Sequence, residues 1–169
     1  GQAKRGLGSD ATFFARNKFV TLERGGQLVV RSAENEVVRR LQGPGNATAL
    51  FAATVGRVLC RTDEGAVLLD LGKGPQEDPV VGRAACANLK NAVWSQGSAK
   101  AKEQTAAAAA AGQQQNVALL GKNSVVLCTR DLQQLCVVHE SVKVKSGAWD
   151  DTGNMFIYTT VNHIKYLLP

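Results

Sequence analysis

Imidazole is the most versatile catalytic side chain, and this chain of 169 residues carries two, His139 and His163. His139 opens HESVK (139–143), which lacks the second histidine that a zinc-hydrolase helix needs to close its ligand set. His139 ends an apolar run and His163 falls in a hairpin turn, so both read as structural. Gly121-Lys122-Asn123 has the look of the end of a phosphate-cradling loop. However, Gly112 stands nine positions before Gly121 where that loop needs five, and no Ser or Thr follows the lysine. The carboxylate pairs Asp63-Glu64 and Asp150-Asp151 could share acid–base work, yet both fall in turns, where Asp commonly accepts from backbone amides. Cys60, Cys86, Cys128 and Cys136 include no CxxC pair, and three of them sit in apolar runs where a thiol behaves as a small hydrophobe. No Ser or Cys adjoins a His in sequence. These residues predict no catalytic centre, no metal site and no cofactor site, and the chain is not expected to be an enzyme.

The elements around these residues follow one pattern, a hairpin of two apolar runs joined by a polar turn. It occurs as FVTLERGGQLVVR (19–31), RVLCRTDEGAVLLDL (57–71), VALLGKNSVVLC (117–128) and MFIYTTVNHIKYLL (155–168). Gly25-Gly26, Glu64-Gly65, Lys122-Asn123 and Asn162 mark the turns, where Gly and Asn tolerate positive φ. The flanking β-branched, aromatic and Leu residues suit half-buried or buried strands. Gly26 to Gly65 is 39 positions, Asn123 to Asn162 is again 39, and the middle interval is 58. That interval holds AKAKEQTAAAAAAGQQQ (99–115), a low-complexity insert of 17 residues, without which the period returns to 41. A repeat near 40 residues made of short strands is the signature of propeller blades. Trp-containing segments precede two hairpins, LKNAVWS (89–95) and KVKSGAWDD (143–151), and VVRRL (37–41), PVVGR (79–83) and LCVVH (135–139) follow three of them. The expected fold is all-β, a partial β-propeller of about three and a half four-stranded antiparallel blades. Its blades run roughly 10–41, 49–83, 89–139 and 142–169, after a flexible segment 1–9. The alanine run favours helix but is too short to hold one unaided, so the insert reads as a mobile surface loop, with a docking helix as the alternative.

Composition narrows the class. The net charge of +6 is spread through the chain, with only the pairs Lys4-Arg5 and Arg39-Arg40, which disfavours a nucleic-acid binder. A solvated, mildly basic surface is expected, with attraction to an acidic partner or an anionic membrane face as the functional alternative. No stretch reaches the roughly 18 apolar residues of a membrane-spanning helix. GQAKRGLGSD lacks the apolar core of a signal peptide and does not begin with Met, and reads as a cut inside a longer chain. Cysteines without a disulfide framework point to a reducing, intracellular compartment, where the sequon Asn46-Ala47-Thr48 would go unused.

Residues 125–168 are specific enough to carry a family. LC (135–136), His139-Glu140, VKSGAWD (144–150), FIYTT (156–160) and NHIKY (162–166) follow one another there, and ARNKFVTLE (15–23), NEVVRR (35–40), VWS (93–95) and VALLGKNSVVLC (117–128) extend the likeness upstream. In these words the chain resembles the alpha-subunit family of coatomer, the COPI vesicle coat. The resemblance covers nearly all of the chain outside its first ten residues and the insert, and departs most over 42–58 and 72–88. It implies part of the second of two N-terminal propellers, ahead of a helical solenoid. It further implies a structural coat component in Golgi-to-ER retrograde and intra-Golgi vesicle transport. The implied partners are other coatomer subunits, beta-prime above all, and the implied location is the cytoplasm, peripheral on Golgi membranes and COPI-coated vesicles. The dilysine-reading propeller of such proteins is the first, so no cargo-binding residue carries over. The alternative is a peptide-binding WD-repeat module for cargo tails or another trafficking partner. Neither nucleic acid nor a small-molecule substrate is expected.

Within this frame Trp94 and Trp149 are expected to anchor inner strands, with Phe156 and Tyr158 also in the core. Lys143, Lys145 and Lys165 are expected to point outward, opposite Val142, Val144 and Ile164, as possible contacts for an acidic neighbour.

Overall fold

The computed structural model describes residues 10–15, 17–54, 56–74, 76–95 and 115–169. The segment 1–9 and all but the last residue of the insert 99–115 lie outside the described residues. Short apolar runs bounded by polar turns give strands, and the described residues form four antiparallel sheets. The first joins β1 (Asp10–Ala15), β2 (Lys18–Leu22), β3 (Gln27–Ser32) and β4 (Val37–Gln42) in that order. The second joins β5 (Ala49–Ala52), β6 (Arg57–Arg61), β7 (Gly65–Asp70) and β8 (Val80–Ala85). The third joins β9 (Asn91–Trp94), β10 (Asn116–Leu120), β11 (Ser124–Thr129) and β12 (Gln134–His139). The fourth joins β13 (Val144–Trp149), β14 (Phe156–Thr160) and β15 (Ile164–Leu167). The expected four-blade pattern, with three strands in the last, is what these sheets display. The only helical turn among the described residues is the 3-10 turn Arg24–Gly26.

The chain divides into two compact units, Gly1–Arg83 and Ala84–Pro169. In the first, Val20, Leu22, Leu28 and Val30 share one face of the first sheet and meet Leu50, Val58, Cys60, Val67 and Leu69 of the second. Two polar ties cross the same pair: Asp10 Oδ2 accepts from the Leu50 amide at 2.8 Å, and Arg39 Nη1 donates to the Leu71 carbonyl at 3.0 Å. In the second unit, Ala118, Leu120, Val125 and Leu127 of the third sheet pack on Val144, Phe156 and Tyr158 of the fourth. Apolar burial of this kind stabilises by about 25 cal/mol per Å² removed from water.

The turns correct part of the sequence reading. Gly25 and Gly26 do take positive φ (75° and 81°), and a Cβ on Gly26 would lie 2.0 Å from the Pro44 carbonyl oxygen, so only glycine fits there. Asn123 and Asn162 do not take positive φ; among non-glycine described residues Asn17, Asn35, Asn88 and Leu132 do. Gly65 does take positive φ (151°), and the later hairpins close through backbone bonds, Thr62 N to Gly65 O, Gly121 N to Ser124 O and Thr160 N to His163 O at 2.8–2.9 Å. The Thr62 and Thr160 hydroxyls also accept from the Gly65 and His163 amides at 3.2 Å, and in the Thr160 turn this side-chain acceptor does the work assigned to a left-handed residue. Glu23 closes the first hairpin on Gln27 in the same way, one residue longer.

Candidate interaction surfaces

Trp149 and Phe156 pair across β13 and β14, with ring centroids 5.2 Å apart and planes at 62°. The half-buried Trp149 also donates its indole N–H to the Val93 carbonyl at 2.8 Å, tying the inner strand β13 to the inner strand β9. Phe156 and Tyr158 are almost wholly buried, whereas Trp94 is half-buried and Trp149 lies at the edge of the core that Phe156 and Tyr158 fill. A Cβ on Gly147 would come within 2.3 Å of the Phe156 ring, so the strand opposite needs the missing side chain.

Of the lysines expected to point outward, Lys143 and Lys145 are exposed, while Lys165 turns to a carboxylate of the chain. Register pairs Tyr158 with Lys165 and Thr159 with Ile164, which turns Lys165 inward and leaves Ile164 78% exposed. Lys165 Nζ reaches Glu140 Oε1 and Oε2 at 3.0 and 2.9 Å, and Tyr158 Oη donates to Oε1 at 2.6 Å. The Tyr158 hydrogen bond, then that from Lys165, holds the Glu140 carboxyl below the usual carboxylate range. Burial and then Glu140 push the Tyr158 phenol upward. One swap of faces thus converts an expected contact residue into one arm of a clasp in which Lys165 stays 41% exposed and Glu140 8%.

Lys143 does stand outward, joined by Lys122, read from sequence only as a turn residue, and by Lys90, which the sequence reading did not single out. Lys90 immediately precedes β9 and Lys143 immediately precedes β13, and these inner strands are neighbours through Trp149 and Val93. Lys122 lies in the β10–β11 turn. Its carbonyl accepts from Val144 N at 2.9 Å, while Lys90 N donates to Leu120 O at 2.8 Å. All three side chains are exposed at this corner. Partial desolvation, then the charge of Lys143 within hydrogen-bonding reach and that of Lys122, draw the Lys90 ammonium below its ordinary value. Lys145 is exposed on β13 and is not among the charges acting on Lys90. The usable signal was positional: a lysine at the residue before two successive inner strands, visible once the repeats are aligned.

A second surface is apolar. Ala118↔Leu127 and Leu120↔Val125 in the third sheet occupy the same hairpin positions as Ile157↔Tyr166 and Thr159↔Ile164 in the fourth. The third sheet's set is covered by the fourth sheet, but the fourth sheet's own set is bare, with Tyr166 67% and Leu168 66% exposed.

The groups with chemical potential elsewhere are occupied or inert. Asp150 Oδ1 accepts from the Asn154 and Met155 amides at 2.9 and 3.0 Å, and Oδ2 from the Thr152 hydroxyl at 2.6 Å. Those bonds, the Thr152 hydroxyl first, hold its carboxyl below its ordinary value. Asp151 and the pair Asp63-Glu64 are exposed in turns, and His139 and His163 are exposed at strand ends. All four cysteines are free; burial pushes the Cys60 and Cys128 thiols up to about 12. Among the described residues no cluster of His, Cys, Asp and Glu could hold a metal, and no helix is long and apolar enough to cross a membrane.

Comparison with known proteins agrees with this architecture. The fold resembles the C-terminal WD40 domain of Sif2, with a TM-score of 0.61 over 98% of this chain and 44% of that one, at 16% identity. In sequence the chain is 39% identical to coatomer subunit alpha-2 of Arabidopsis thaliana over 99% of its length. It is 34% identical to coatomer subunit alpha of Saccharomyces cerevisiae over 95%, and 31% identical to that of Dictyostelium discoideum over 98%. It spans 12% of the length of each of these relatives. A family model described as the COPA/B second beta-propeller matches residues 1–169. With that match running through all four sheets, the chain belongs to the COPA/B second beta-propeller family.

Proposed function

We propose that this chain is a structural element of the COPI vesicle coat, working through protein–protein contacts of its propeller sheets and performing no catalytic step. The observation that carries the reading is the family match over residues 1–169, joined by coatomer alpha relatives from plants, yeast and Dictyostelium. The rigid packing of paired sheets supports it, because such a body presents fixed faces to neighbours while its turns stay exposed. In this reading the chain serves Golgi-to-ER retrograde and intra-Golgi transport, is held peripherally on Golgi membranes from the cytoplasm, and assembles with other coatomer subunits, beta-prime first. The rival, a reader of basic cargo tails, is disfavoured by the lysine corner and by a net charge of +6, both of which repel a dilysine signal.

Co-purification tests it. The tagged parent protein, expressed in cells of its own source, should bring down beta-prime coatomer and the remaining subunits. Removal of this region should lower the yield of the assembled coat. Recovery of basic cargo peptides without any coat subunit would sink the reading and favour the rival.

A further inference from the structure

We propose that Lys90, Lys122 and Lys143 form a docking site for an acidic segment of a partner protein. Three ammoniums gathered at one corner repel each other, and among the described residues none of the three enters an ion pair. Such an arrangement opposes folding and favours binding, because an incoming anion relieves the repulsion as well as adding its own attraction. The neighbouring carboxylate cannot serve, since Glu140 is taken by Tyr158 and Lys165.

The spread of the charges and the backbone bonding around them favour carboxylates over phosphate. Phosphate sites typically use unpaired amides or the forked donors of arginine. Here the amides of Lys90, Gly121, Glu140 and Val144 are all donated to carbonyls of the chain itself, at 2.7–2.9 Å. What remains is a set of point charges on flexible stems, borne by two strand entries and one hairpin turn. An extended segment with several Asp or Glu can meet them one at a time, a geometry that a single compact headgroup does not use. The site does not depend on the coat assignment, since it follows from charge and backbone bonding alone.

The test uses the full chain, with Lys90→Gln, Lys122→Gln and Lys143→Gln made singly and together, and Lys18→Gln as an exposed control from the first sheet. Fluorescence anisotropy reads binding of a labelled peptide rich in Asp and Glu, against its Asn/Gln counterpart. Sedimentation with vesicles of phosphatidylcholine and phosphatidylserine reads membrane binding. Each single variant is expected to weaken peptide binding roughly two- to fivefold, and the triple variant by more than tenfold or so, with binding falling as salt rises. The urea midpoint should hold or rise in the triple variant, which separates lost docking from lost folding. No binding of the acidic peptide by the wild-type chain, equal binding by the triple variant, or equal weakening by Lys18→Gln would each overturn the proposal. So would vesicle binding that depends on the three lysines while peptide binding does not.

Discussion

Truncating Trp149 should destabilise the second unit by about 3 kcal/mol, and the structure says where that figure comes from. The indole N–H bond to the Val93 carbonyl, 2.8 Å long, contributes about 1 kcal/mol net. The edge-on contact with Phe156 at 5.2 Å adds about 1 kcal/mol beyond area burial. Loss of the ring's packing supplies the rest. The sum falls at the low end of the roughly 3–5 kcal/mol for a fully buried Trp→Ala change, because Trp149 is only half-buried. Trp149→Phe keeps most of the ring contact and loses the indole N–H donor, so about 1 kcal/mol should be lost. Urea unfolding followed through Trp94 fluorescence and far-UV circular dichroism measures both variants against the wild type. In the cycle with Phe156→Leu, a coupling near 1 kcal/mol is expected from the aromatic contact. If Trp149→Ala costs less than about 0.5 kcal/mol, or Trp149→Phe costs as much as Trp149→Ala, the account of this tryptophan as a two-strand tie is wrong.

Two further outcomes follow from the titrating groups. Glu140 has a folded-state value below its ordinary 4.5, so the unfolded chain binds its proton first and stability from this group is present above that value. That stability drains away as pH falls through the lowered folded-state value. Glu140→Gln should therefore flatten the acid side of the stability profile, measured as urea midpoints below pH 6 or so, and an unchanged acid slope would contradict the clasp. Burial that pushes the Cys60 and Cys128 thiols up to about 12 predicts slow alkylation by iodoacetamide in the native chain, with the half-buried Cys136 modified first. Mass spectrometry after timed quenching checks the order, and early labelling of Cys60 would show that its strand opens readily.

The hairpins were readable because their signal is local. Runs such as VLC before and VLL after Glu64-Gly65 alternate nothing and bury everything, and the interval of 39 survives any change of surface. Which face of β15 turns inward was not readable. Ile164 and Lys165 give opposite answers to hydrophobicity and to pairing, and the outcome rests on Glu140, which is distant in sequence and offers Lys165 a buried counter-charge. The turn residues failed for a similar reason. Asparagine marks a tight reversal, but Thr160 shows that a hydroxyl at the strand end can hold the turn without left-handed backbone. Asn17, Asn35 and Asn88 carry that left-handed conformation in other turns, and Leu132 joins them, a choice no composition rule would make. The lysine corner needed Lys90, Lys122 and Lys143 brought together across separate loops. Charge counting alone recorded only that the chain is basic.

The bare set of Ile157, Ile164, Tyr166 and Leu168 bears on how long the molecule lasts in a cell. Clustered apolar side chains on an open strand edge are what chaperones hold and what other strands pair with. While something covers that sheet, opening of β15 must first strip the cover away, and degradation by that route slows accordingly. Left uncovered, the same four side chains mark the chain for capture or aggregation.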